Sequence, residues 1–376
     1  LQRNWIGRLP GLFVDFQLEG PAQALTVFTT RPDLIYGTSF LGLAPEHPAI
    51  PTLIKGAPDE TRLLATVQDM CTLPRVERMK APEREGLFLN QHAMHPLTGE
   101  LVPLYVTPFV QQDLGTGAIL GCPSHDTNSF RFAKTMGITP KPVLALTDGT
   151  APPPDHPYCD DGILVDSGPY SDMSSAAARA AITQDLIQSG TARTGETFRV
   201  RDWCISRQRY WSCPIPIVHC PQCGPVPVAA SDLPVTLPTE GVNLNCNGNP
   251  LEHHAEFLAA DCPACGATAR REASTLDTFV NSSWSYMRNC NPDHRTGFCD
   301  TAAVEYWVPS DLDIGGTENI TVANFYFRVV LQWLHRLGLT SASEPFKSSI
   351  FHGMVLMDGR KMSKSVGNTI RPQDLI

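Results

Sequence analysis

Residues 361–365 read Lys-Met-Ser-Lys-Ser. The string puts two ammonium groups and two hydroxyls into one short stretch, with Gly359 and Gly367 on either side to let it bend. Two cations on a mobile loop suit the charge that develops on a reacting polyphosphate. Preorganised charge of that sort is often the largest single catalytic contribution. Alone, Lys-x-x-Lys-Ser reads as a solvated turn. It stands 45 residues beyond Gly316, in the stretch Asp311-Leu312-Asp313-Ile314-Gly315-Gly316-Thr317-Glu318. Paired glycines where a strand turns into a helix allow the backbone to approach a ribose or phosphate closely, and a plain turn is the competing explanation. A third constellation is Cys220-Pro-Gln-Cys223-Gly with Cys262-Pro-Ala-Cys265-Gly. Four thiolates in two such knuckles give closed tetrahedral zinc coordination of the structural kind. His219 and Cys246 are possible substitute ligands. A fourth is Thr29-Thr30-Arg31-Pro32-Asp33, where β-propensity by itself accounts for the threonines.

These groups need elements to hold them. Leu25–Thr29, Tyr105–Thr107 and Ala118–Leu120 have the composition of strands. Asn128–Met136 reads as a helix stopped by Gly137, and Ser174-Ser175 caps a helix over Ala176–Gln188 that Gly190 closes. Mixed strands and helices without a regular βαβ rhythm point to an α+β domain over residues 17–198, preceded by a strand-like connector over 1–16. Residues 199–217 read as a return strand. Residues 218–272 are rich in Pro, Gly and Cys, as a small metal-stapled module is. From 273 to 376 longer apolar helices appear, notably Ala323–Leu337 with Gly338 as its stop, and Arg371–Asp374 signals another helix start.

The chain has 376 residues, enough for two or three cores. It is 42% apolar and 18% charged. Its net charge of −9 rules out a generally basic nucleic-acid-binding surface. Contact with RNA must use local patches, and Arg199, Arg201, Arg207 and Arg209 form the clearest; salt-bridging surface arginines are the alternative. No run of about 18 apolar residues is present, so no membrane span is expected. Eight of the twelve cysteines lie outside the knuckles without pairing rhythm, which fits a reducing compartment better than a disulfide framework.

The lysine string, with Met357-Asp358-Gly359-Arg360 before it and Val366-Gly367-Asn368 after it, resembles the signature loop of class I aminoacyl-tRNA synthetases. Gln2-Arg3-Asn4-Trp5-Ile6-Gly7-Arg8, Thr29–Asp33 and Arg201-Asp202-Trp203-Cys204-Ile205-Ser206-Arg207-Gln208-Arg209-Tyr210-Trp211 narrow the resemblance to leucyl-tRNA synthetases of the bacterial or organellar type. The resemblance implies an α/β fold: the second half of a Rossmann-type catalytic domain, interrupted by an editing-type insert and a zinc module. It implies ATP, Mg2+ and Zn2+ as cofactors, leucine and tRNA(Leu) as partners, and a monomer in the cytoplasm, or else in a mitochondrion or plastid. Gly315, Gly316, Glu318 and Met362 would lie along the adenylate. Lys361 and Lys364 would grip the phosphates, with Ser363 and Ser365 beside them. In the insert, Thr29 and Thr30 would orient water or a substrate hydroxyl, Arg31 would contact the tRNA end or anchor the loop, Gly115-Thr116-Gly117 would line the pocket, and Asp126 would form its acidic wall.

The chain departs from the family pattern at four of these places. Leu34 stands where the family has a threonine that excludes leucine, and Ser129 where it has a second aspartate for the substrate ammonium. A neutral hydroxyl cannot supply the charge-assisted bond of a carboxylate. The expectation is an insert that keeps its fold and edits weakly or not at all, with Ser129→Asp plus Leu34→Thr raising the rate. Asn319 and Ala323 replace two family histidines, and no His-x-Gly-His element occurs in these residues. The second reading is therefore a diverged, non-ligating relative that binds nucleic acid or a protein.

Overall fold

The computed structural model describes residues 1–19, 23–73, 77, 78 and 85–376, and they form two units: Ile6–Arg201, and Leu1–Trp5 together with Asp202–Ile376. Among the described residues no helix is long and apolar enough to cross a membrane.

The first unit is built on one mixed sheet. Its strands are β1 (Arg8–Leu18), β2 (Ala24–Thr29), β3 (Phe40–Leu43), β4 (Leu87–Met94), β5 (Leu101–Val106), β6 (Ala118–Gly121) and β7 (Ala192–Phe198). Their order is β2-β1-β4-β5-β3-β6, with β7 also paired to β1; β3 and β5 run parallel and the other pairs antiparallel. Alternation decides which face is buried. Leu12, Val14 and Phe16 of β1, Leu25 and Val27 of β2, and Val102, Leu104 and Val106 of β5 all point into one core. The stretch 1–16, expected as a strand-like connector, is thus a short helix, Gln2–Ile6, followed by most of the strand on which β2, β4 and β7 assemble.

Both helices expected here are present. Asp126 caps Thr127–Met136 through the Ser129 N–H, and Gly137 ends it at φ 67°. Ser174 caps Ser175–Gln188, whose Ala178, Ile182 and Leu186 make a buried stripe four residues apart. Burying a leucine or isoleucine of this kind contributes about 1.5–3 kcal/mol.

The second unit has a four-stranded antiparallel sheet, in the order Gly224–Pro227, Ile217–Cys220, Thr268–Arg271, Ala259–Asp261. It also has a parallel pair, Asp313–Gly316 with Ser349–His352. The helix Ala323–Arg336 buries Leu331 and Leu334 against Met287, Val304 and Val308. Between 202 and 216 the pairing is limited to Ser206–Arg207 with Thr275–Leu276 and a single bridge from Pro214 to Thr275. The expected return strand is irregular for two reasons: Pro214 and Pro216 have no N–H to pair, and Trp203 is held by stacking on Tyr326 at 3.8 Å. The helix start read at Arg371–Asp374 is a single 3-10 turn, Pro372–Asp374.

Candidate functional site

In the first unit, β2 delivers Thr29 and Thr30 to the rim of a cavity of about 530 Å³. Arg31, Leu34, Leu114, Gly115, Cys122 and Asp126 are among the residues around it. The Thr29 hydroxyl accepts from the Arg31 N–H at 3.0 Å, which closes the turn after the strand. The Arg31 side chain does not reach into the cavity as a free cation. Its Nε and Nη2 donate to the Asp33 carboxylate at 2.8–3.1 Å. Arg179, on the helix Ser175–Gln188, donates its Nε to the same carboxylate at 2.9 Å, and both arginines pair with Asp161. Asp33 is 0% exposed. A buried carboxylate is tolerable only when paired and hydrogen-bonded in this way. Arg31 is thus tied to Asp33 and Asp161. Sequence reasoning missed Arg179, which lies 146 residues from Asp33.

Asp126 shares its carboxylate between cavity and helix: Oδ2 accepts the Ser129 N–H at 2.6 Å. Ser129 is 0% exposed and its hydroxyl has no partner among the described residues. Where the resemblance leads one to expect a second carboxylate, residue 129 offers a hydroxyl enclosed in protein. Leu34 adds an apolar branch to the cavity wall. Gly115 also borders the cavity, at φ 63°, a left-handed conformation that favours glycine. Cys122, fully enclosed, has its thiol pushed up to about 12 by burial, so it is an apolar wall group at neutral pH.

In the second unit the four knuckle sulfurs of Cys220, Cys223, Cys262 and Cys265 lie within 4.8 Å of one another, with Cys220 and Cys265 3.6 Å apart. Zn–S bonds of about 2.3 Å at tetrahedral angles require S···S separations of roughly 3.8 Å. The donor set therefore fits zinc. Gly224 and Gly266 sit at φ 73° and 72° with open space around them, so their left-handed backbone is what demands glycine. The N–H groups of Cys223 and Gln222 lower the Cys220 thiol to about 7, while hydrogen bonding with Cys265 pushes the Cys223 thiol up to about 12, so the four sulfurs share their protons unevenly and a metal would have to displace those that remain. His219 turns to Glu272 at 2.8 Å, and Cys246 lies outside the four-sulfur group.

Gly315 and Gly316 end the strand Asp313–Gly316, and Gly316 pairs with His352. The two parallel strands finish level. Parallel sheets bind ligands beyond their carboxyl ends, and from that end the chain runs into the hairpin Leu356–Met357/Arg360–Lys361 that carries the lysine loop. Gly359 is not a loose flank of the loop. With Asp358 it makes the hairpin turn, both at positive φ (49° and 73°). Lys361 and Lys364 are exposed, while Met362 and Ser363 are half-buried. The Ser363 and Ser365 hydroxyls meet at 2.8 Å. The Glu318 carboxylate folds back over Gly316, where an added Cβ would lie 2.5 Å from it. Asn319 stands beside this glycine pair, its Nδ2 3.7 Å from where a Cβ at Gly315 would be, and Ala323 begins the long helix. Two of the basic side chains are engaged: Arg207 pairs with Asp277, and Arg201 lies 3.8 Å from Asp113.

Comparison with known proteins agrees with this arrangement. Residues 3–187 match the family "Leucyl-tRNA synthetase, editing domain", and residues 183–376 match "tRNA synthetases class I (I, L, M and V)". The leucine–tRNA ligase of Syntrophobacter fumaroxidans is 44% identical over 381 aligned residues, and that of Halorhodospira halophila 43% over 377; each alignment takes in 100% of this chain. The chain spans 46% of the length of these relatives. The crystal structure of the ternary complex of Agrobacterium radiobacter K84 agnB2 LeuRS with tRNA and LeuAMS superposes with a TM-score of 0.76 at 35% identity, over 99% of this chain and 43% of that one. The chain belongs to the class I tRNA synthetases, in their leucyl-tRNA synthetase branch, and comprises the editing domain followed by part of the catalytic domain.

Proposed function

We propose that the protein carrying this chain is a leucine–tRNA ligase of the cytoplasm, which activates leucine with ATP and Mg2+ and passes it to tRNA(Leu). One observation carries the reading: a loop with two exposed lysines leaves the same end of a parallel strand pair that presents Gly315 and Gly316. In that geometry the glycines and Glu318 bed the adenosine. Met362 covers it from the loop. Lys361 and Lys364 meet the phosphates, with Ser363 and Ser365 as neutral donors beside them. The leucine carboxylate attacks the α-phosphorus and pyrophosphate leaves; Lys364 neutralises the charge gathered on the leaving oxygens. Positioning and charge neutralisation are the main protein contributions to such a step.

Zinc at Cys220, Cys223, Cys262 and Cys265 would be a structural cross-link, since four protein sulfurs leave no open position for substrate. In the insert, Thr29, Thr30 and Asp126 stand where deacylation would occur. The buried Ser129 hydroxyl and the Leu34 side chain support weak or absent hydrolysis there.

The test is leucine-dependent ATP–pyrophosphate exchange by the full-length protein, followed by hydrolysis of mischarged tRNA(Leu). Exchange with little deacylation is the expected result. Absence of exchange with tRNA binding retained would favour the non-ligating reading, for which Asn319 and Ala323 are the specific motive.

A further inference from the structure

Beyond the two lysines, the loop contains a closure of its own. The Asn368 side chain spans it: Oδ1 accepts the Ser363 N–H at 2.9 Å, and Nδ2 donates to the Lys361 carbonyl at 3.1 Å. One planar amide thus occupies a donor and an acceptor two residues apart on the same backbone, as a neighbouring strand would. The rest of the loop folds onto Ser363. Val366 N–H and Gly367 N–H both reach the Ser363 carbonyl, at 3.2 and 3.1 Å, and Gly367 sits at φ 75°, which returns the chain to bring Asn368 into place. Met362 and Ser363 are half-buried while both lysines are exposed. The backbone between the lysines is therefore fixed from within, and its cations face outward.

We infer that Asn368 is a positioning residue that clasps residues 361–368 into one body, so that the two ammonium groups meet the triphosphate at a set spacing instead of as two independent tethers. The inference rests on the ligase reading for its chemistry and on the hydrogen bonds alone for its structure. A loop that moves as a body loses less freedom when it closes than one whose lysines must be ordered separately. Misplacement by about 1 Å is enough to cost up to roughly 100-fold in rate. The turn Asp358-Gly359 on one side and the chain after Asn368 on the other are where such a body would pivot.

The experiment uses the full-length protein with Asn368→Ala and Asn368→Asp. The aspartate keeps an acceptor for Ser363 but sets a carboxylate against the Lys361 carbonyl. Pyrophosphate exchange is measured against ATP and against leucine, alongside tryptic cleavage after Lys361 and Lys364 without nucleotide. Asn368→Ala is expected to lower kcat about tenfold or more and raise KM for ATP. KM for leucine should stay within about twofold, and cleavage at both lysines should speed up. Asn368→Asp should recover none or little of the loss. Unchanged kcat and KM for ATP in both variants, or unchanged cleavage, would overturn the clasp. Absence of exchange in the unsubstituted protein would overturn the ligase reading instead, and the cleavage rates would still decide whether Asn368 holds the loop.

Discussion

Ser129 shows how one atom's surroundings limit what can be restored. Its hydroxyl is enclosed, with no partner among the described residues, and its N–H already binds the Asp126 carboxylate. A carboxylate at 129 would be buried beside a like charge. That raises the carboxyl pKa of the pair and opposes ionisation of one of them. Ser129→Asp alone is thus expected to destabilise the first unit by about 2–4 kcal/mol and to give little deacylation. Urea midpoints and hydrolysis of mischarged tRNA measure the two effects. A variant as stable as the parent that hydrolyses briskly would show that residue 129 opens to the cavity. At this scale the sequence was informative where chemistry is local. The four knuckle cysteines and the knuckle glycines were legible because each pair lies within one turn. The Arg31–Asp33–Arg179 arrangement was not, since nothing in the sequence near Asp33 points to a helix 146 residues away.

Among the elements, the sheet of the first unit carries two buried histidines whose rings are used as neutral acceptors. His125 Nε2 accepts the Val143 N–H at 2.9 Å while Nδ1 faces the Tyr158 carbonyl. His95 Nδ1 accepts from Leu97 and Thr98, with Nε2 toward the Ile35 carbonyl. Burial lowers both from the ordinary value of 6.5. The folded state therefore binds fewer protons than the unfolded one below that value. Stability is full above pH 6.5 and falls as pH drops through the folded-state values. The urea midpoint of the first unit should decrease between pH 7.5 and 5.5 at constant slope, and His125→Gln should flatten the decrease. A midpoint independent of pH would remove the argument. Helix ends were the most readable elements, because Ser174, Gly137 and Gly190 act within one turn of the chain. The irregular course of 199–217 is not legible in the sequence, because it depends on the hold of Trp203 on Tyr326, more than 100 residues away.

For the molecule as a whole, each unit has its own apolar core, one around Leu12, Phe16 and Leu104 and others around Leu331 and around Leu251 and Phe257. Unfolding should show more than one transition. Stripping zinc with a chelator is expected to release about one ion per chain and to lower the transition of the second unit alone, because metal binding at a four-cysteine site is folding energy for the module around it. Loss of both transitions together would refute this. The α/β character and the order of domains were readable from motif order; the level ends of the parallel strands, which bring the glycines and the lysine hairpin to one side, needed coordinates. The four-cysteine module has one more consequence. Its strands 217–220 and 268–271 lie side by side, so the polypeptide departs and comes back at adjacent points. The middle of that excursion, residues 243–247, lies between Gly241 and Gly248, both at positive φ, and is largely exposed. It is a natural graft point, where an affinity handle or fluorophore could be spliced in with the four sulfurs left undisturbed.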